Sequence, residues 1–76
     1  MLEKSLKCIV TFHTTVGAMA MEKICRDTGV AGRLIPVPRV ITAGCGMCWM
    51  APPEARPAVE RAAADLDVDG VYELLI

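Results

Sequence analysis

Strand-like and helix-like segments alternate along this chain of 76 residues, and their order restricts the fold more than any other feature. The segment CIVTF, residues 8–12, is rich in β-branched and aromatic types and predicts a first strand. Residues 16–28 predict a helix, with Thr14 or Thr15 as its N-cap and Gly29 as the glycine that ends it. A strand therefore leads directly into a helix.

The following segments predict two further strands. Residues 30–38 predict an edge strand, because Pro36 and Pro38 lack the backbone donors that a central strand needs. After a loop over residues 39–46, the segment MCWMA, residues 47–51, predicts a third strand whose side chains alternate between two faces. The alternation places Met47, Trp49 and Ala51 on one face and Cys48 and Met50 on the other.

A second helix is predicted to begin between Pro53 and Pro57, and a last strand is predicted for residues 71–76, after the polar turn DLDVDG. The helix should bury Val59, Ala62, Ala63 and Leu66. The order βαββαβ within a single domain, residues 1–76, predicts an α+β ferredoxin-like sandwich. In that fold, two helices cover one face of a four-stranded antiparallel sheet with the strand order 4-1-3-2.

This topology predicts which residues meet. The first strand ends, the first helix begins and the loop before the third strand turns at one edge of the sheet, so His13 should lie near Cys45 and Cys48. The second face of the sheet carries no helix, and apolar surfaces of this kind commonly form interfaces. We therefore expect a homodimer through the open face. The candidate residues are Ile9, Thr11, Cys48 and Met50.

Composition excludes several classes of function. A formal net charge of −1, without a block of like charge, provides no field for attracting nucleic acid or anionic lipid. The N-terminal residues resemble a strand rather than a signal peptide, and no segment reaches membrane-spanning length. These features predict a cytoplasmic protein, and in that compartment four cysteines indicate thiol or metal chemistry before a disulfide framework.

The segment RVITAGCGMCW, residues 39–49, contains the most reactive candidate. Glycines flank Cys45 on both sides, so another protein can approach its sulfur. A helix N-terminus or a nearby cation favours the thiolate form of a cysteine, and the start of the first helix and Arg39 can supply these. Such a thiolate could carry a sulfane sulfur as a persulfide, with His13 and Cys48 as further candidate site residues.

Other interpretations remain open at this point. Cys8 and Cys25 lie on apolar faces, where cysteine usually behaves as a small hydrophobic residue. The pair Cys45 and Cys48 could instead bind Cu(I) or Zn(II), with His13 as a further ligand, as in a soft-metal chaperone. The same pair could act as a redox dithiol, although the segment WMAPP separates it from the next helix, unlike in thioredoxin-like enzymes.

The motif residues also carry a family resemblance. TFHTT, followed by a helix and then RLIPVPRVITAGCG, resembles the small bacterial family described as putative selenium/sulfur carrier-like proteins, over nearly the whole chain. The resemblance implies that Cys45 bears the sulfur or selenium atom and that His13 and Arg39 line its site. We expect a carrier or binding protein more than an enzyme, without a cofactor, that exchanges the atom with a donor such as a cysteine desulfurase and with an acceptor protein.

The chain departs from that family pattern in the loop and the third strand. Cys48 stands where such proteins carry a small or apolar strand residue, and Ala43 and Gly44 replace expected serines. A carrier with one working cysteine does not need Cys48. Its presence therefore keeps the metal and dithiol alternatives open.

Overall fold

The computed structural model describes residues 4–41 and 45–76. Its elements, in chain order, are β1 (Leu6–Phe12), α1 (Thr15–Thr28), β2 (Arg33–Pro36), β3 (Met47–Ala51), a short 3₁₀ turn (Pro53–Ala55), α2 (Arg56–Ala63) and β4 (Val68–Leu75). The four strands form one antiparallel sheet in the order β2-β3-β1-β4. The α+β class is confirmed.

Local sequence signals account for the first helix. The Thr14 side chain accepts a hydrogen bond from the Gly17 amide at 3.3 Å, so Thr14 is the N-cap, one of the two predicted residues. Gly29 ends the helix in the left-handed conformation, with φ of 75°. The boundaries of β3 agree with the prediction over residues 47–51.

The boundaries of β1, β2 and β4 differ from the prediction, and β1 begins at Leu6 rather than at residue 8. β2 covers only Arg33–Pro36, because its ladder with β3 ends where Pro36 pairs with Met47. β4 begins at Val68 rather than at residue 71, because it pairs with β1 along the whole of that strand. Thr11 pairs with Gly70 and Phe12 pairs with Val68, so Asp69 is the extra residue of a β-bulge.

Both helices pack on one face of the sheet and form the main core with it. Alternate residues of β1 and β3 face this core, and Met21 and Val59 contribute to it from the two helices. Of the residues that the second helix was predicted to bury, Val59 and Ala63 are buried and Ala62 is half-buried. Leu66 is also half-buried, but it lies beyond the end of α2 at Ala63. The buried members are Cys8, Val10, Phe12, Ala18, Met21, Cys25, Trp49, Ala51, Val59 and Ala63.

A second, smaller cluster covers the face of the sheet that lacks helices. After β2 the chain turns back over this face, with the Ile41 amide donating to the Pro38 carbonyl at 3.0 Å. We call residues 37–41 the strap. Val37 and Ile41 of the strap pack with Ile9 and Cys48 of the sheet, and the half-buried members of the cluster are Ile35, Val37, Met50, Leu74 and Ile76.

The strap overturns the prediction of an open sheet face. Ile9, Thr11 and Cys48 are all 0% exposed within the single chain, and only Met50 of the four candidates is partly exposed.

In the described part of the chain, no helix combines the length and the apolar composition needed to cross a membrane.

Candidate functional site

The candidate site lies at the edge of the sheet where β1 ends, α1 begins and β3 starts. Thr11 pairs with Cys48 across β1 and β3. His13 follows Thr11 by two residues and Cys45 precedes Cys48 by three, so both lie beyond the same end of the ladder. The predicted placement of His13, Cys45 and Cys48 at one edge therefore agrees with the observed register.

Cys45 is half-buried beside the first residue of β3. Its side chain packs against the main core on the helix side of the sheet. The Met47 amide donates to Sγ at 3.4 Å, and the thiol donates to the Met47 carbonyl oxygen at 3.2 Å. Both hydrogen bonds join the sulfur to Met47 and hold the Cys45 side chain beside the start of β3.

Gly46 lets the chain make both contacts around the sulfur. Its φ is 78°, a left-handed conformation that other residues adopt only with strain, and a Cβ there would meet nothing within 4 Å. The Gly46 carbonyl accepts from the Val37 amide at 3.0 Å, which continues the hairpin ladder by one bond beyond the paired strands. Of the two glycines that flank Cys45, Gly44 lies outside the described residues.

Cys48 has a different environment from Cys45. It is 0% exposed and belongs to the cluster under the strap, whereas Cys45 packs against the core on the helix side. Burial raises the pKa of the Cys48 thiol to about 11, and the nearby charge of a Cys45 thiolate acts in the same direction. Cys48 therefore holds its proton at neutral pH, and the two thiols face opposite sides of the sheet.

The other two cysteines are parts of the main core. Cys8 is 0% exposed and Cys25 is 1% exposed, and burial raises the pKa of both thiols. Their environments match the prediction that each behaves as a small hydrophobic residue. Cys45 is thus the one cysteine of the four with an exposed fraction above 1%.

His13 has an acidic partner that sequence reasoning missed. Its Nδ1 lies 3.3 Å from Oδ1 of Asp69, and Oδ2 of Asp69 lies 3.4 Å from the Thr11 hydroxyl. Asp69 is the bulged residue of β4, and a bulge redirects the side chain that it carries. The sequence predicts a polar turn over residues 65–70, whereas Asp69 lies in β4, and no local signal indicates the bulge that directs it at the histidine.

Arg39 lies in the exposed turn of the strap. Among the described residues, its guanidinium is not in any ion pair, and its placement beside the Cys45 sulfur stays a prediction. Thr42, which belongs to the family motif, and Ala43, which departs from it, lie outside the described residues.

A metal centre finds limited support in this arrangement. Within residues 4–41 and 45–76, no three side chains from His, Cys, Asp and Glu come together as a set of metal ligands. A two-coordinate site for Cu(I) would need the sulfur atoms of Cys45 and Cys48 to converge, and these residues pack on opposite faces of the sheet.

Comparison with known proteins identifies the family. Residues 7–73 match the family model described as "Putative Se/S carrier protein-like". The chain belongs to this family. It is also similar to "Uncharacterized protein YtiA" of Escherichia coli (strain K12), with 37% identity over 43 residues, which cover 55% of this chain and 51% of that protein. The chain thus matches about half the length of this curated relative. No solved structure gave a significant match.

Proposed function

We propose that the protein carries a sulfur or selenium atom as a persulfide or selenopersulfide on Cys45. The observation that supports this most is the contrast between Cys45, half-buried at a sheet edge with an amide N–H directed at its sulfur, and three fully buried thiols. A reactive cysteine must be accessible, and Cys45 is the least buried of the four thiols. Membership of the family supports the same function.

Loading would be a thiol exchange that conserves atoms and electrons. The Cys45 thiolate attacks the outer sulfur of a donor persulfide and forms a new S–S bond. The S–S bond of the donor breaks, and the donor cysteine departs as a thiolate. Delivery repeats the exchange toward an acceptor. His13 and Arg39 are proposed to line the site, and Asp69 is proposed to hold His13 in place. We propose a cysteine desulfurase-like protein as the sulfur donor and a carrier role, rather than an enzymatic one, for this chain.

We further propose that this carrier is a ferredoxin-like sandwich that functions in the cytoplasm. The sheet order β2-β3-β1-β4, read from the other edge, is 4-1-3-2, and both helices lie on one face. The alternatives need both thiols, either for a soft-metal site or for a redox dithiol. The separation of Cys45 and Cys48 by the sheet favours the carrier with one working cysteine.

Substitution of each cysteine tests the function. Cys45→Ser should abolish persulfide loading by a cysteine desulfurase, whereas Cys48→Ser should leave loading largely intact, because Cys48 is buried on the other face. Intact mass after incubation with the desulfurase and cysteine measures the added sulfur. Site-resolved alkylation of the unloaded protein should label Cys45 before the other three thiols.

The metal alternative makes the opposite prediction. If the pair binds Cu(I) or Zn(II), either substitution should weaken metal affinity to a similar extent, since each ligand supplies a comparable share of the coordination. Equal loss of loading in both variants, together with metal bound by the wild type, would overturn the carrier proposal.

A further inference from the structure

The second cysteine of the C-x-x-C pair can destroy a persulfide that is carried on the first. A persulfide on Cys45 has an S–S bond, and a second thiol can attack the inner sulfur. The products would be a Cys45–Cys48 disulfide and hydrogen sulfide, formed from the persulfide and one thiol without an external oxidant. The cargo atom would then be released into solvent instead of being delivered.

The strap bears directly on this reaction, because it covers Cys48. Ile41 is 8% exposed and packs in one cluster with Ile9 and Cys48, and Val37 packs against the same cluster. One backbone bond joins the strap to the residue before β3, from the Val37 amide to the Gly46 carbonyl, and a second forms a turn within the strap, from the Ile41 amide to the Pro38 carbonyl, each at 3.0 Å.

Geometry opposes the disulfide further. A disulfide requires the two Cβ atoms to face each other at about 3.5–4.5 Å. Here Cys45 packs on the helix side of the sheet, and Cys48 lies on the side that the strap covers. Cys48 is fixed by strand pairing with Thr11 on one side and Ile35 on the other, so it cannot turn toward Cys45 without local opening of the sheet or strap.

We propose that the strap, residues 37–41, protects the atom carried on Cys45 by keeping Cys48 from attacking it. This inference rests on the proposed function. It gives the apolar residues Val37 and Ile41 a chemical role in addition to their packing. It also explains how a chain with a C-x-x-C sequence can act as a carrier with one working cysteine.

A disulfide reagent tests the strap without any persulfide. 5,5′-Dithiobis(2-nitrobenzoate) should react with Cys45 to give a mixed disulfide and one equivalent of coloured thiolate. Attack by Cys48 on the Cys45 sulfur would release a second equivalent and close the intramolecular disulfide. In the wild type we expect the first equivalent rapidly and the second only slowly, because Cys48 is covered.

Variants of the strap should change only the second release. Ile41→Ala removes most of the cover and should accelerate it at least about tenfold, and Val37→Ala, a milder change, should accelerate it less. Val40→Ala is the matched control, because Val40 lies in the same strap but is 79% exposed. The double variant Ile41→Ala/Cys48→Ser should release only the first equivalent, and circular dichroism checks that each variant is folded.

The same variants loaded with persulfide measure the consequence for the cargo. Ile41→Ala should lose its added sulfur as sulfide and end two hydrogens lighter than the unloaded dithiol, and the added Cys48→Ser substitution should restore retention. A wild type that releases the second equivalent as fast as Ile41→Ala, or equal acceleration by Val40→Ala, would overturn the role of the strap. A wild type that shows the expected two-step release but never accepts a sulfane sulfur would instead overturn the proposed function alone.

Discussion

At the scale of single residues, the sequence predicted that Cys45 is accessible, and it is the least buried of the four cysteines, but the sequence did not predict the partner of His13. The prediction for Cys45 used its two flanking glycines, which are a local property of the sequence. Asp69 could not be recognised, because its direction depends on a bulge between β1 and β4, strands that are far apart in sequence. Local sequence patterns say little about which residues pair between strands that are far apart in the chain.

Gly46 offers a prediction at this scale. Its φ of 78° means that Gly46→Ala should cost about 1 kcal/mol of unfolding free energy through backbone strain, although a Cβ meets no atom within 4 Å. Because Gly46 lies between Cys45 and the Met47 groups that contact its sulfur, the substitution should also change the rate of Cys45 alkylation. Urea denaturation and timed alkylation measure the two effects.

Gly29 is the matched control for that substitution. Its φ is 75°, and a Cβ there also meets nothing within 4 Å, so Gly29→Ala should cost a similar free energy. It ends α1 away from the site and should leave Cys45 alkylation unchanged. If both variants altered alkylation equally, the effect would report general loosening rather than the geometry at the sulfur.

At the scale of elements, the strands and helices were predicted more fully than the connection between β2 and β3. The alternation in β3 gave the correct faces for all five of its residues. The sequence predicts a loop over residues 39–46, but it does not predict that residues 37–41 pack over the sheet. This packing depends on contacts of Val37 and Ile41 with Ile9 and Cys48. No local sequence pattern indicates these contacts.

The strap also changes the prediction of a homodimer. Ile9, Thr11 and Cys48 are covered, so an interface on this face would have to use the half-buried Ile35, Met50 and Leu74. We predict a dimer through these residues, which Met50→Lys should dissociate by placing a charge in the apolar contact. Light scattering at high protein concentration measures the mass, and a wild-type monomer under those conditions would contradict the prediction.

At the scale of the whole molecule, a chain of 76 residues forms two apolar clusters, one on each face of a single sheet. A domain of this size buries only about 60 to 65% of its unfolded surface, so each cluster matters for stability. Three of the four cysteines lie in these clusters. Ionisation of these buried thiols therefore makes the stability of the fold depend on pH.

Alkaline pH should destabilise the protein through Cys48. The folded state raises the pKa of this thiol from 9.0 to about 11, so the unfolded chain loses the proton first as pH rises. The contribution of the neutral thiol to stability is complete below pH 9 and falls between pH 9 and about 11, by about 2 to 3 kcal/mol in total. Burial raises the pKa of Cys8 and Cys25 too, which adds to the loss with the same sign.

Cys48→Ala separates this contribution from those of lysine and tyrosine, which titrate in the same range. The variant should be less stable than the wild type at pH 7, because it leaves a small cavity under the strap. Its stability should nevertheless fall less steeply between pH 9 and 11, since the group that resists ionisation has been removed. Urea denaturation under anaerobic, reducing conditions at several pH values measures both slopes. Parallel slopes for the two proteins would mean that the Cys48 thiol ionises at the same pH in the folded and unfolded chains, and the strap would then not exclude solvent from it.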